Sequence, residues 1–198
     1  MSQAELILSK IRQVLGEEHS RVALHEPCFA GREWEYVKDC LDSGWVSSAG
    51  QYVERFEKGL VDFTGVKYAI AVVNGTAALH TALKLVGVEA EDEVLIPALT
   101  FIATANAVAY CGAIPHLVDS DPRTLGMDPG KLEAYLKDVA VIDKGVCINR
   151  FTSRRIKAVV PMHTFGHPVD LDPLLELSQK YHLEMVEDAA ESIGSYYK

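Results

Sequence analysis

A three-layer α/β fold, with a largely parallel sheet covered by helices on both faces, is the fold class this sequence predicts. Two observations carry the prediction. Short apolar, β-branched runs recur at 68–73, 93–98, 114–119, 156–162 and 183–186, and such runs bounded by turn residues read as buried strands. Between them lie segments of helical period with their own start and stop signals. Strands that alternate with helices favour parallel pairing and two covered faces. The 198 residues, 48% of them hydrophobic, suffice for one domain with a sizeable core.

The elements follow in order. Ala4–Leu15 has helical spacing, with Leu6, Ile7, Ile11, Val14 and Leu15 apolar. Gly16–Ala30 reads as an extended arm with Pro27, suited to packing on another subunit or to lying as a surface loop. A short helix, Glu33–Leu41, stops at Ser43-Gly44; the loop Trp45-Val-Ser-Ser-Ala-Gly50 leads to a helix over Tyr52–Phe63. Tyr68–Val73 reads as a buried strand, broken by Asn74-Gly75, and Thr76 opens a helical run through Leu79, Leu83 and Val86 that Gly87 closes. Glu93–Ala98 is the next strand and Thr100–Tyr110 a helix of small residues. Ile114–Asp119 is a strand; Asp128-Pro129 starts a helix that runs to about Leu136, with Asp128 as N-cap and proline in the first helical position. The polar stretch Lys137–Arg155 reads as a loop or small ribbon. Ile156–Met162 is a strand, Asp172-Pro173 begins a helix to Tyr181, and Leu183–Val186 is a last strand running into Glu187-Asp188-Ala-Ala-Glu191.

Bulk properties exclude several functions. A net charge of -9 offers no basic excess to displace counterions from nucleic acid and disfavours an anionic membrane surface. Cys28, Cys40, Cys111 and Cys147 are scattered, with no Cys-x-x-Cys pair, as expected of reduced thiols in the cytoplasm. The first sixteen residues carry Glu5, Lys10 and Arg12, unlike a signal peptide, and no apolar stretch is long enough to span a bilayer.

Three features fall where strands end, which is where ligands sit in such sheets. Asn74-Gly75-Thr76 opens a helix whose first N–H groups lack intrahelical partners and whose dipole favours an anion, so a phosphate fits there; a plain N-cap fits equally well. Phe101 follows the next strand and offers a ring face, or ordinary core packing. Asp188 follows the last strand and offers a carboxylate, or a helix cap. A phosphate site, an aromatic platform and a carboxylate in one crevice suit pyridoxal 5'-phosphate, whose pyridine nitrogen must stay protonated for the ring to act as an electron sink.

These residues also carry a resemblance. Gly44-Trp-Val-Ser-Ser-Ala-Gly50, Asn74-Gly-Thr-Ala-Ala-Leu-His80, Ile96-Pro-Ala-Leu-Thr-Phe-Ile-Ala-Thr-Ala-Asn106, Pro161-Met-His-Thr-Phe-Gly-His-Pro168 and Val186-Glu-Asp-Ala-Ala-Glu-Ser192 together resemble the N-terminal half of the DegT/StrS family of sugar aminotransferases, in family order over most of the chain. The resemblance implies the type I aminotransferase large domain, incomplete at its C-terminus, with 1–66 as N-terminal helices and arm and 67–198 as the first part of the cofactor domain. It assigns Gly75 and Thr76 to the cofactor phosphate, Phe101 to stacking, Asp188 to the pyridine nitrogen, Glu191 to the neighbourhood of the phenolic oxygen, where many relatives have Gln or His, and His163 to the neighbourhood of the cofactor. Ser47 and Ser48 would bind substrate at the mouth. The implied partners are a nucleotide sugar, an amino-acid donor such as glutamate, and a second copy in a homodimer; the implied setting is amino-sugar or cell-surface polysaccharide biosynthesis. The Lys137–Arg155 insert and Thr124-Leu-Gly-Met-Asp-Pro129 look most like the branch that aminates 4-keto nucleotide sugars on the way to legionaminic-type acids.

The departure from the family is its Schiff-base lysine, which is expected beyond Lys198. Lys198 itself lies ten positions after Asp188 and reads as a surface residue at a cut end. The chain alone is therefore expected to be half a subunit without transaminase turnover. His163 and His167 stand four apart, but Gly166 and Pro168 argue for a turn, and no metal site is expected. The charge run Arg150, Arg154, Arg155, Lys157 reads as a solvated loop or a contact for a nucleotide phosphate. Three readings stay open: an aminotransferase of which this is the first half, a fragment that binds cofactor or partner without transamination, and a nicotinamide-dependent sugar-nucleotide enzyme. Against the last stands the lack of a Gly-x-Gly-x-x-Gly after any strand.

Overall fold

A computed structural model describes residues 2–16 and 27–198. Most of the expected 16–30 arm lies outside the described residues. The chain divides into two units, Met1–Ala71 and Val72–Lys198.

The first unit is helical. Helix α1 (Gln3–Leu15) begins with a capping box: Ser2 Oγ accepts the Glu5 N–H at 3.2 Å, and Glu5 accepts the Ser2 N–H at 2.6 Å. Helix α2 (Glu33–Ser43) ends at Gly44, in left-handed backbone. Helix α3 (Gln51–Thr64) meets α2 through stacked polar aromatics. The Tyr36 and Tyr52 rings are 5.3 Å apart, Arg55 lies over both, and the Tyr52 hydroxyl donates to Asp39 at 3.0 Å.

The strand expected at 68–73 does not form. That stretch pairs with no other strand among the described residues, and Ile70 and Val73 are 77% and 88% exposed. Its composition supplies strand propensity, but a strand exists only with a ladder neighbour. The residues that follow do form helix α4 (Gly75–Leu85), with Asn74 as N-cap accepting the Ala77 N–H at 2.9 Å.

The second unit is built on a four-stranded parallel sheet in the order β2-β1-β5-β6, from β1 (Glu93–Pro97), β2 (Ile114–Val118), β5 (Ile156–Val159) and β6 (Glu184–Met185). Strand β1 is buried along its whole length because helices cover both faces. On one face Val94, Ile96, Ala158 and Val160 pack with Leu79 and Leu83 of α4 and Ala107 and Val108 of α5 (Ile102–Tyr110). On the other, Leu95, Val118, Ile156 and Val159 pack with Leu132 and Leu136 of α6 (Pro129–Val139) and Leu174 and Leu177 of α7 (Leu171–Tyr181). This is the three-layer arrangement the sequence predicts.

Details follow the local rules. Asp128 caps α6 through the Lys131 N–H at 3.0 Å, with Pro129 just inside. Helix α6 runs on to Val139, past the expected end near Leu136, and the polar stretch after it holds an antiparallel ribbon of β3 (Ala140–Asp143) and β4 (Val146–Asn149). Helix α7 begins one residue earlier than Asp172; its N-cap position is Asp170, whose carboxylate instead accepts Arg123 at 3.0 Å. All four cysteines are free thiols, and burial, with the Glu93 charge nearby, pushes Cys147 up to about 11. Among the described residues no helix is long and apolar enough to cross a membrane.

Candidate active site

The carboxyl ends of β1, β5 and β6 converge in the second unit. Beyond β6 the chain stays paired with the extension of β5: Asp188 N–H donates to Pro161 O at 2.9 Å, and His163 N–H donates to Asp188 O at 3.2 Å. This parallel bridge fixes the Asp188 backbone at the mouth of the sheet. Its side chain is 4% exposed. Oδ2 accepts the Thr104 hydroxyl at 2.6 Å, and Thr104 in turn accepts the Thr100 hydroxyl at 2.9 Å. Oδ1 has one long contact, the Ala190 N–H at 3.4 Å. Among the described residues no lysine, arginine or histidine pairs with Asp188. A buried carboxylate without a cation is costly to keep, and a protonated ring nitrogen is the kind of partner that relieves it.

The residues around it form a braced turn. The His163 ring is 4% exposed and held at both nitrogens. Nδ1 accepts the Val169 N–H at 3.3 Å, and Nε2 faces Glu187 Oε2 at 3.1 Å. That hydrogen bond holds the Glu187 carboxyl below the usual carboxylate range. Thr164–Gly166 then makes a single tight turn with Phe165 in left-handed backbone, φ 55°. Glu191 steadies it by accepting the Phe165 N–H at 2.7 Å. Gly166 is required there, since a Cβ would come within 2.9 Å of Glu191 O.

Other expected residues stand apart from this contact network. Gly75 and Thr76 are the first two residues of α4, where N–H groups lack intrahelical partners. Phe101, at the N-cap of α5, is 61% exposed. Ser47 and Ser48 lie in the exposed α2–α3 loop of the first unit. Lys198 is exposed and its ammonium pairs with Asp172. Inspection of the sequence missed Thr104, Glu187 and Val169. Thr104 carried a usable signal: it stands four residues after Thr100 near the start of a helix that is otherwise small and apolar, a spacing that puts both hydroxyls on one face.

The model of the DegT/DnrJ/EryC1/StrS aminotransferase family matches residues 27–198. The chain belongs to this family. It is 44% identical to the GDP-perosamine synthase of Caulobacter vibrioides over 90% of this chain and 44% of the relative. It is 39% identical to the GDP-perosamine synthase of Escherichia coli over 89% and 44%, and 40% identical to a Bacillus subtilis spore coat polysaccharide biosynthesis protein over 87% and 40%. Among solved structures, an aminotransferase from Psychrobacter cryohalolentis superposes with a TM-score of 0.71 at 32% identity, over 86% of this chain and 40% of that one. A Bacillus subtilis protein solved with bound cofactor PMP superposes at 0.67 and 28% identity, over 93% and 43%. The chain thus spans less than half the length of the curated relatives it matches.

Proposed function

We propose that the complete protein is a pyridoxal-phosphate-dependent aminotransferase that places an amino group on a keto group of a nucleotide-linked sugar. In this reading 67–198 is the first part of the cofactor-binding domain, and 1–66 supplies helices and an arm. The observation that carries it is the buried Asp188 carboxylate at the mouth of a parallel sheet, with no cation paired to it among the described residues, in a chain of this family. The donor set fits the cofactor: an anion acceptor for a ring N–H, a helix N-terminus for a phosphate and an exposed aromatic ring.

Bound pyridoxal phosphate supplies an electron sink for the negative charge that develops on the donor's α carbon. The residues of this chain bind and orient it. Asp188 Oδ1 accepts the ring N–H, and the charged bond keeps that nitrogen protonated. The N–H groups of Gly75 and Thr76, with the Thr76 hydroxyl, donate to the phosphate. Phe101 stacks on one ring face. Glu191, one of whose oxygens holds the Phe165 N–H, would lie near the phenolic oxygen. His163 and Glu187 together hold the strand end that carries Asp188. Ser47 and Ser48 contact the sugar nucleotide. Glutamate is the proposed donor, a homodimer the proposed assembly and the cytoplasm the proposed location. Relatives named GDP-perosamine synthase favour a GDP-linked sugar over the precursors of legionaminic-type acids.

The test is an amination assay on the complete protein, with glutamate and GDP-linked keto sugars, read by mass spectrometry of the sugar nucleotide. Cofactor-dependent gain of an amino group is the expected result. No amination of any keto sugar nucleotide, together with turnover of a nicotinamide cofactor, would overturn it.

A further inference from the structure

We propose that Thr104, itself oriented by Thr100, is a positioning residue for the cofactor's pyridine nitrogen, acting through Asp188. The proposal rests on the reading of Asp188 given above. Three observations lead to it. First, the bond has only one direction. An ionised carboxylate only accepts, so the Thr104 proton goes to Asp188 Oδ2, and the Thr104 oxygen is left to accept from Thr100. Second, the hydroxyl is shielded from bulk solvent. Thr104 is 1% exposed on the inner side of α5, and its β-branched side chain is stiff, so the bond needs little extra ordering. Third, the Asp188 carboxylate has little else to orient it. The last torsion of an aspartate is broad, and among the described residues the carboxylate has, apart from Thr104, only the 3.4 Å contact to Ala190 N–H. The backbone bridges to Pro161 and His163 fix where Asp188 begins, but not how its carboxylate is turned. Thr104 therefore ties down one oxygen and leaves the other to meet the ring N–H.

The experiment uses the complete protein loaded with cofactor carrying nitrogen-15 in its pyridine ring. Thr104→Val, Thr104→Ser, Thr100→Val and Asp188→Asn are compared with wild type by the ring-nitrogen signal across pH and by kcat and KM. Thr104→Val keeps shape and removes the hydroxyl. Its ring nitrogen is expected to lose its proton at lower pH than in wild type, with kcat down about tenfold and the KM for the amino donor little changed. Thr104→Ser is expected to restore both, and Thr100→Val to fall between. If Thr104→Val does not fold, Thr100→Val and Thr104→Ser decide: a wild-type nitrogen signal in Thr100→Val and a shifted one in Thr104→Ser would overturn the proposal. Equal losses in Thr104→Val and Thr104→Ser would do so too, since they would mark a packing role. A changed signal in Asp188→Asn with an unchanged one in Thr104→Val would reject Thr104 while the reading of Asp188 stands. An unchanged signal in Asp188→Asn would remove that reading and the proposal with it.

Discussion

The Asn149 side-chain amide donates to the buried carboxylate of Glu93 at 2.8 Å, pinning the end of β4 to the first residue of β1. Glu93 also accepts the Thr152 hydroxyl at 2.6 Å, and His116 Nδ1 at 2.8 Å. The second nitrogen of His116 meets the Tyr135 hydroxyl at 2.8 Å. The network lies at the amino end of β1, away from the strand ends that carry the candidate site, and it ties the 137–155 ribbon to the sheet.

That network predicts an acid-side loss of stability. Burial alone would push the Glu93 carboxyl up, but the bonds from Thr152, Asn149 and His116 together outweigh it and hold the group below its ordinary value. A carboxylate depressed in the folded state contributes stability above the unfolded value, about 4.3, and loses it as pH falls through the folded one. Urea midpoints of the complete protein should therefore drop on acidification below about pH 5. Glu93→Gln should flatten that slope and cost about 1–3 kcal/mol at pH 7. An unchanged acid slope in the variant would show that Glu93 is not its source.

Asp188→Asn should leave the fold intact and lower transamination by the complete protein by at least about tenfold, the scale of one charged hydrogen bond. The amide cannot supply the charge that keeps a ring nitrogen protonated. Steady-state rates alongside circular dichroism check this, and turnover near wild type would remove Asp188 from the proposed role.

Thr76→Ala should weaken cofactor affinity about tenfold, since one hydroxyl bond to a phosphate is lost while the α4 N–H groups remain. Asn74→Ala should instead cost stability, about 1 kcal/mol, because the Ala77 N–H loses its cap. Cofactor titration and thermal melts separate the two; equal effects of both variants on both readouts would contradict the division of roles.

Gly126→Ala should destabilise by about 1–3 kcal/mol. A Cβ at Gly126 would lie 2.0 Å from Val169 Cγ1 and 3.2 Å from Met162 O, and Val169 is fully buried. Val169 also donates its N–H to His163, so the strain should reach the candidate site as well. A melting temperature equal to wild type would mean the backbone yields freely here.

The sequence by itself determined the elements whose signals are local. Asp128 followed by Pro129 fixes the start of α6, Asn74 caps α4, and the apolar runs of β1, β2 and β5 fall where they were expected. The place of Asp188 at a strand end was legible too, because it stands two residues past the last apolar run. Tertiary structure alone decided the rest, and in each case the cause is a partner distant in the chain. The 68–73 run has strand composition but no neighbour among the described residues, so it remains unpaired. Asp170 rather than Asp172 stands at the start of α7, with its carboxylate drawn to Arg123, 47 positions away. Glu93 reads as a charge at a strand end until Asn149 and Thr152 close over it from 56 and 59 positions away. Thr104 reads as one more small helix residue until folding carries it 84 positions along the chain to Asp188. Caps and periods are written in neighbouring residues, whereas a buried carboxylate takes its donors from wherever packing brings them.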